Sequence, residues 1–172
     1  MKFVGLVGSN YDQSYNRKLL EFIRRQFKIK FELEVLEIDE VPMFNQDEKW
    51  DESFQLRLLY NKITRADGVI IATPEHNHTI SAALKSVLEW LSFEVHPFEN
   101  KPVMIVVLLT MTKGLHVRKF TSVRSSMPQV SMLILFQEMN SFLEKRKKLL
   151  TKTAISSTRE PSNSLKPAWI IL

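Results

Sequence analysis

Cysteine is absent from the 172 residues, and glycine occurs only four times, as Gly5, Gly8, Gly68 and Gly114. Without cysteine there is no disulfide, no thiolate metal site and no cysteine nucleophile. The few glycines form neither a G-x-G-x-x-G dinucleotide turn nor a G-x-x-x-x-G-K-[ST] phosphate loop. No apolar run reaches the roughly eighteen residues that a membrane-spanning helix needs. The apolar start of MKFVGLVGSN is too short for a signal peptide. Together these absences lead to the expectation of a cytoplasmic protein that does not enter the membrane.

Acidic residues are also scarce, but only in one part of the chain. Residues 1–106 carry 13 Lys and Arg against 16 Asp and Glu, a balance of −3, whereas residues 107–172 carry 11 against 3, a balance of +8. The second part has no aspartate, and its one glycine is Gly114. The overall charge of +5 therefore describes neither part. A basic segment is a usual sign of nucleic-acid or lipid contact, and Lys145–Lys148 is its densest cluster. An abnormal origin of the segment explains the bias better, so no specific nucleic acid and no membrane are expected as partners.

What is present is an ordinary globular composition, 44% hydrophobic and 25% charged, in a chain of single-domain length. Lys2–Val7 is a short apolar run of the kind that forms a strand buried on both faces. From Asn16 the spacing becomes helical, with Leu19, Leu20, Phe22, Ile23 and Phe27 on one face and Arg17, Lys18, Arg24 and Arg25 on the other. Phe31–Ile38 alternates strictly, which predicts an edge strand with one wet face. Val41–Asn45 breaks the pattern. Glu52–Arg65 is helical again through Phe54, Leu56, Leu58, Leu59 and Ile63. Asp67-Gly68 turns into an apolar strand over Val69–Ala72, which ends at Thr73-Pro74. Ser81 caps a helix running to Trp90 or Leu91, and Asn100-Lys101-Pro102 turns into a strand over Val103–Val106. This alternation predicts an α/β fold with a mostly parallel, doubly wound sheet.

In such a sheet, ligands sit beyond the carboxyl ends of the strands where the winding reverses. The loops expected there are Gly8–Asn16 and Thr73–Ile80. The first offers Ser9, Asn10, Ser14 and Asn16 where a helix begins, a set suited to a phosphate dianion. The same residues also suit a plain helix cap and turn, and the loop by itself supports both readings equally. In the second loop, T-P-E-H-N-H-T-I, Pro74 stiffens the backbone, while Glu75, His76 and Asn77 offer polar and flat groups. His76 and His78 have no carboxylate or cysteine support for a metal, and Glu75 has no visible partner that would make it a base.

The two loops together are more specific than either alone. G-S-x-x-x-x-S-x-N at Gly8, Ser9, Ser14 and Asn16 resembles the NADPH-dependent FMN reductase family. Pro74-Glu75-His76-Asn77, with Leu84-Lys85 and Glu89-Trp90 after it, is similar to that family's P-E-Y-N…L-K…D-W stretch. Val41–Asp47 is similar to its D-x-P-x-F/Y-N-x-D segment, with Glu40 in place of the Asp. The resemblance covers roughly residues 1–106. It implies a flavodoxin-like, three-layer α/β/α fold with FMN as cofactor and NAD(P)H as electron donor, the bound flavin reducing a flavin, quinone, azo compound or metal oxyanion. It also implies a homodimer. Ser9, Ser14 and Asn16, with Asn10 and Tyr15 beside them, would hold the phosphate. Pro74, Glu75, His76 and Asn77, with Thr73 before them, would line the isoalloxazine ring. The flavin carries the chemistry, so no catalytic acid, base or nucleophile and no metal is assigned. Two residues depart from the family pattern: Tyr11 stands where many members have a basic residue, and His76 where Tyr is usual.

Beyond Val106 the resemblance stops in the residues as written but continues if the codons are read one base out of register. Thr112-Lys113-Gly114 then allows Gln followed by Gly, and His116–Lys119 allows S-R-A-Q. Ser126–Val130 allows D-A-P-G with its Ala forced, and Phe136–Asn140 allows P-G-N-E with its Glu forced. These strings resemble, in order, what the family carries after its fourth strand. The expectation is an FMN-binding domain over 1–106, followed by a frameshifted tail over 107–172 that replaces the last strand and helices. A genuinely divergent tail is the other reading. In the frameshifted tail Val130–Phe136 could still take the fifth-strand position, Glu138–Leu150 reads as a short basic helix, and Ser156–Pro167 as disordered. The functional alternative is a non-catalytic or unstable remnant that binds flavin weakly or not at all.

Overall fold

The computed structural model describes residues 1–111, 114–118 and 140–144. Its elements run β1 (Lys2–Val7), α1 (Tyr15–Gln26), β2 (Glu32–Leu36), α2 (Phe54–Arg65), β3 (Gly68–Pro74), α3 (Ala82–Phe93), β4 (Val103–Met111) and β5 (Gly114–Arg118). The sheet order is β2-β1-β3-β4-β5. The first four strands are parallel, and β5 returns antiparallel beside β4. This is the flavodoxin-like α/β arrangement, and its winding reverses between β1 and β3.

Residues Phe3–Val7 of β1 and Val69–Ala72 of β3 are apolar and buried because both faces of these strands are covered. Phe3 and Val7 of β1 and Ile70 and Ala72 of β3 pack on one side with Leu20 and Ile23 of α1 and with Phe27, its C-cap. Val4, Leu6, Val69 and Ile71 pack on the other side with Leu59 and Ile63 of α2 and Leu84, Val87 and Leu91 of α3. Among the described residues, no helix is long and apolar enough to cross a membrane.

Three details differ from the sequence pattern. The edge strand β2 is wet only at Glu32 and Glu34, since Leu36 closes onto the α2 side. The helix expected from Glu52 begins at Phe54. Trp50–Glu52 forms a separate single turn, and the Ser53 hydroxyl caps α2 by accepting from the Leu56 N–H at 3.3 Å. As the first helical residue, Phe54 falls outside the buried stripe and is 66% exposed.

β4 continues past Val106 without a break, with Thr73 opposite Val107 and Pro74 opposite Leu108. β5 lies beside it; Val130–Phe136, Lys145–Lys148 and Ser156–Pro167 lie outside the described residues. Of Glu138–Leu150, residues 140–144 are helical. Phe142 and Leu143 are buried in the α1-side core, with the Phe142 ring 5.4 Å from that of Phe3.

Candidate functional site

Val7 at the end of β1 lies opposite Ala72 near the end of β3, so the loops after these strands leave the sheet side by side. Two hydrogen bonds fasten them together, and a third ties one of them to a helix start. The Gly8 N–H donates to the Ala72 carbonyl at 2.7 Å. The Ser81 hydroxyl donates to the Gly8 carbonyl at 2.8 Å and accepts from the Leu84 N–H at 3.1 Å. Ser81 therefore caps α3 and also holds the first loop, a second role that local sequence does not reveal. Gly8 has no room for a side chain: a Cβ there would stand 2.9 Å from Thr73 Cβ and 3.0 Å from the Ala72 oxygen.

The first loop is rich in unused donors. Ser9 and Ser14 are buried, and each hydroxyl oxygen accepts one backbone N–H, from Tyr11 at 3.3 Å and from Asn16 at 3.2 Å. Both O–H protons are left to donate. The Ser14 contact is the N-cap of α1. The N–H groups of Ser9, Asn10, Asp12 and Gln13 have no protein acceptor among the described residues. Asn16 is 4% exposed, and its side-chain oxygen is buried without a partner among the described residues. Such an orphaned atom is costly in a native fold and points to a missing ligand. A half-turn of the amide presents its NH2 at the same place. Asn10 is exposed, and Tyr15 is half-exposed with Lys18 Nζ 5.0 Å from its ring centre.

Arg17 binds the outside of this loop. Its Nε and Nη2 donate to Glu37 Oε1 at 2.5 Å and Oε2 at 2.9 Å, while Nη1 reaches the Tyr11 carbonyl at 3.4 Å and also bonds the Asp12 carbonyl. The Glu37 hydrogen bond, more than any other influence, raises the Arg17 pKa above its ordinary value.

In the second loop Thr73 is fully buried against Gly8, while Pro74 and Glu75 are half-buried. His76 and Thr79 exchange both backbone hydrogen bonds, at 2.9 and 3.0 Å, around Asn77 at φ 51° and His78 at φ 64°. This is a two-residue turn of type I′, and Asn tolerates such left-handed backbone better than most residues. His78 Nδ1 lies 3.4 Å from Glu75 Oε1. Among the described residues no group of three or more His, Asp or Glu could hold a metal ion.

The segment Val41–Asp47 is fastened to α3 by contacts that its sequence does not announce. The Phe44 N–H donates to Ser86 Oγ at 2.6 Å, and Trp90 Nε1 donates to the Pro42 carbonyl at 2.9 Å. A surface cavity of about 460 Å³, lined by Tyr60, Thr64, His96, Asn100 and Lys101 among others, lies at the opposite end of the sheet, where β4 begins.

Known proteins similar to this chain are oxidoreductases. The chain is 43% identical over 106 residues to the NADH:(hydroxy)cinnamate reductase subunit CrdA of Vibrio ruber, covering 62% of this chain and 52% of that protein. It is 46% identical over 90 residues to the NADH-dependent flavin reductase subunit 2 of Lactobacillus johnsonii, covering 52% and 48%. It thus spans about half the length of these curated relatives. In fold it is similar to the flavoenzyme NAD(P)H:(acceptor) oxidoreductase FerB of Paracoccus denitrificans, with a TM-score of 0.66, 17% identity and coverage of 86% and 97%. The family model described as NADPH-dependent FMN reductase matches residues 1–135, and the chain belongs to that family.

Proposed function

We propose that this protein binds FMN across the two loops and acts as an NAD(P)H-dependent reductase of a small acceptor such as a flavin, quinone, azo compound or metal oxyanion. The observation that carries the proposal is the donor-rich loop after β1 at the β1–β3 switch point, where Ser9, Ser14 and Asn16 are buried and the Asn16 side-chain oxygen has no partner among the described residues. The residues present fit the cofactor. Ser9, Asn10, Ser14, Tyr15 and Asn16 would take the phosphate side, and free N–H groups and hydroxyls suit its oxygens. Thr73, Pro74, Glu75, His76 and Asn77 would border the ring, on a loop stiffened by Pro74 and the tight turn after it. When bound, the flavin supplies hydride acceptance from reduced nicotinamide and delivery of electrons onward. The chain's own part is to bind and orient it. A cytoplasmic location and a homodimer complete the proposal, the dimer being checked by light scattering.

The deciding experiment is purification with added FMN, removal of free flavin, and measurement of visible absorbance and NAD(P)H oxidation. A stoichiometric yellow protein that oxidises NAD(P)H is the expected result. A colourless, inactive protein would overturn the proposal in favour of a non-catalytic remnant.

We also propose that residues from about 107 onward are encoded out of register, making 1–106 the FMN-binding unit and 107–172 a replacement tail. The family match extends past that point to residue 135, so this proposal stands on the codon strings and on the shift in charge. Resequencing the gene separates a real lesion from an error of record. Early stop codons in the alternative frame, or the lack of S-R-A-Q there, would end the proposal.

A further inference from the structure

We propose that Arg17 and Glu37 are a positioning pair that sets the direction of the anion loop's N–H groups. The proposal rests on the reading of Gly8–Asn16 as the flavin phosphate site. The loop contains no Lys or Arg between Gly8 and Asn16, and it carries the acidic Asp12. Its attraction for an anion therefore depends on N–H and O–H dipoles, which act only when correctly aimed.

Arg17 sits in the first turn of α1, directly after the buried Asn16, and its guanidinium folds back over the loop. Two of its nitrogens hold both oxygens of Glu37, just beyond the end of β2, while the third takes the carbonyls of Tyr11 and Asp12. Both side chains are about one-third exposed, so neither is a solvated surface group. A bidentate arginine is fixed in plane and in distance, which a lysine would not be.

The consequence follows from peptide geometry. A trans peptide carries its C=O and the following N–H on opposite sides, and the described chain has no cis bond. Holding the Tyr11 and Asp12 carbonyls on Arg17 turns the N–H groups of Asp12 and Gln13 to the other side. Those are two of the donors without a protein acceptor among the described residues. The Tyr11 carbonyl also accepts the Ser14 N–H at 3.0 Å, so the same anchor reaches the α1 cap. Glu37 prevents Arg17 from leaving the carbonyls, and it is itself held in place by directly following the last residue of β2. The loop is thus held in shape before any ligand arrives.

A simple charge effect predicts something different for one variant. If Arg17 acted only as a nearby cation, Glu37→Gln would remove a negative charge and tighten FMN. As a positioning pair, Glu37→Gln releases the guanidinium and weakens FMN. The test measures FMN and riboflavin affinities for the wild-type chain, Arg17→Ala, Arg17→Lys and Glu37→Gln. Amide hydrogen exchange is measured in parallel on the flavin-free proteins. All three variants should lose FMN affinity by about tenfold, the worth of one charge-assisted hydrogen bond. Riboflavin, which lacks the phosphate, should bind each about as well as wild type. The Tyr11, Ser14 and Asn16 amides should exchange faster, with β1 and β3 unchanged. Tighter FMN in Glu37→Gln, equal losses for both flavins, or unchanged loop exchange would each overturn the proposal. A wild-type chain that binds no flavin sinks the function proposed above, and loop exchange alone then decides whether the pair holds the loop.

Discussion

Ser81 and Gly8 are 73 residues apart in sequence, yet the hydroxyl of one donates to the carbonyl of the other at 2.8 Å, in a buried position. The same hydroxyl oxygen caps α3. One side chain thus links the end of β1 to the helix after β3, across the point where the winding reverses. Anything that disturbs α3 at its start is felt in the first loop.

Removing that hydroxyl should be expensive in two separable ways. Ser81→Ala loses the cap, about 1 kcal/mol, and leaves a buried carbonyl unpaired, about 1–3 kcal/mol. Ser81→Asp keeps an oxygen for the Leu84 N–H but cannot donate to Gly8 when ionised. It should therefore preserve the cap and lose the loop contact. Denaturant midpoints with unchanged slope would read the stability difference, and FMN affinity should fall in both variants. Equal stability of Ser81→Ala and wild type would show that the long-range bond contributes nothing.

Gly8 and Gly5 lie on the same strand and its exit, but they differ in what a methyl group would meet. At Gly8 it would press on Thr73 Cβ and the Ala72 oxygen at 2.9 and 3.0 Å, neither of which swings aside. At Gly5 the nearest atoms are the ends of Leu20 and Leu33, at 3.2 to 3.4 Å. Gly8→Ala should cost about 1–3 kcal/mol by overpacking and should weaken flavin binding by spreading the two loops. Gly5→Ala should cost clearly less and leave binding alone. Thermal melts and flavin titrations of the pair check both statements.

These contacts also mark where sequence stops being informative. The central strands were legible because residues such as Val4, Leu6, Ile70 and Ile71 must be apolar when both sheet faces are covered. The caps at Ser14 and Ser81 were legible because a capping hydroxyl acts within three residues. The Ser81–Gly8 bond, the Arg17–Glu37 pair and the Trp90–Pro42 bond join distant residues, and no local period encodes them. The antiparallel β5 was missed for a related reason. Gly114–Arg118 lies in the segment expected to be out of register, where pattern and fold need not agree. The burial of Phe142 and Leu143 against Phe3 was equally invisible, since their stretch is read most readily as a basic surface helix.

The turn at His76–Thr79 allows backbone and side-chain roles to be separated. Asn77 occupies φ 51°, a region that glycine enters freely and a β-branched residue does not. Asn77→Gly should hold stability to within about 0.5 kcal/mol, whereas Asn77→Val should cost about 1–2 kcal/mol. If the amide itself touches the flavin ring, Asn77→Gly loses affinity despite its intact turn. Unaltered binding by Asn77→Gly would assign the site to the backbone of the turn alone. Chemical denaturation and flavin titration of the two variants provide the readout.

Asn16 offers the sharpest contrast between stability and binding. Its side-chain oxygen is buried without a partner among the described residues, a state that costs about 1–3 kcal/mol in the flavin-free protein. Asn16→Ala removes that penalty while leaving a small void, so the two effects oppose each other. The melting temperature of the flavin-free protein should therefore stay within about 4 °C of wild type, the shift expected from about 1 kcal/mol at this size. FMN affinity should still fall by about tenfold, the worth of a hydrogen bond to a charged group, with riboflavin affinity unchanged. Asn16→Asp should behave differently, because it buries an unpaired carboxylate where the phosphate is to sit. It should be less stable than wild type and should fail to retain FMN. A stable fold that has lost its ligand marks a residue kept for binding. An Asn16→Ala protein that melts far below wild type yet holds FMN as tightly would instead make Asn16 a structural residue and remove it from the site.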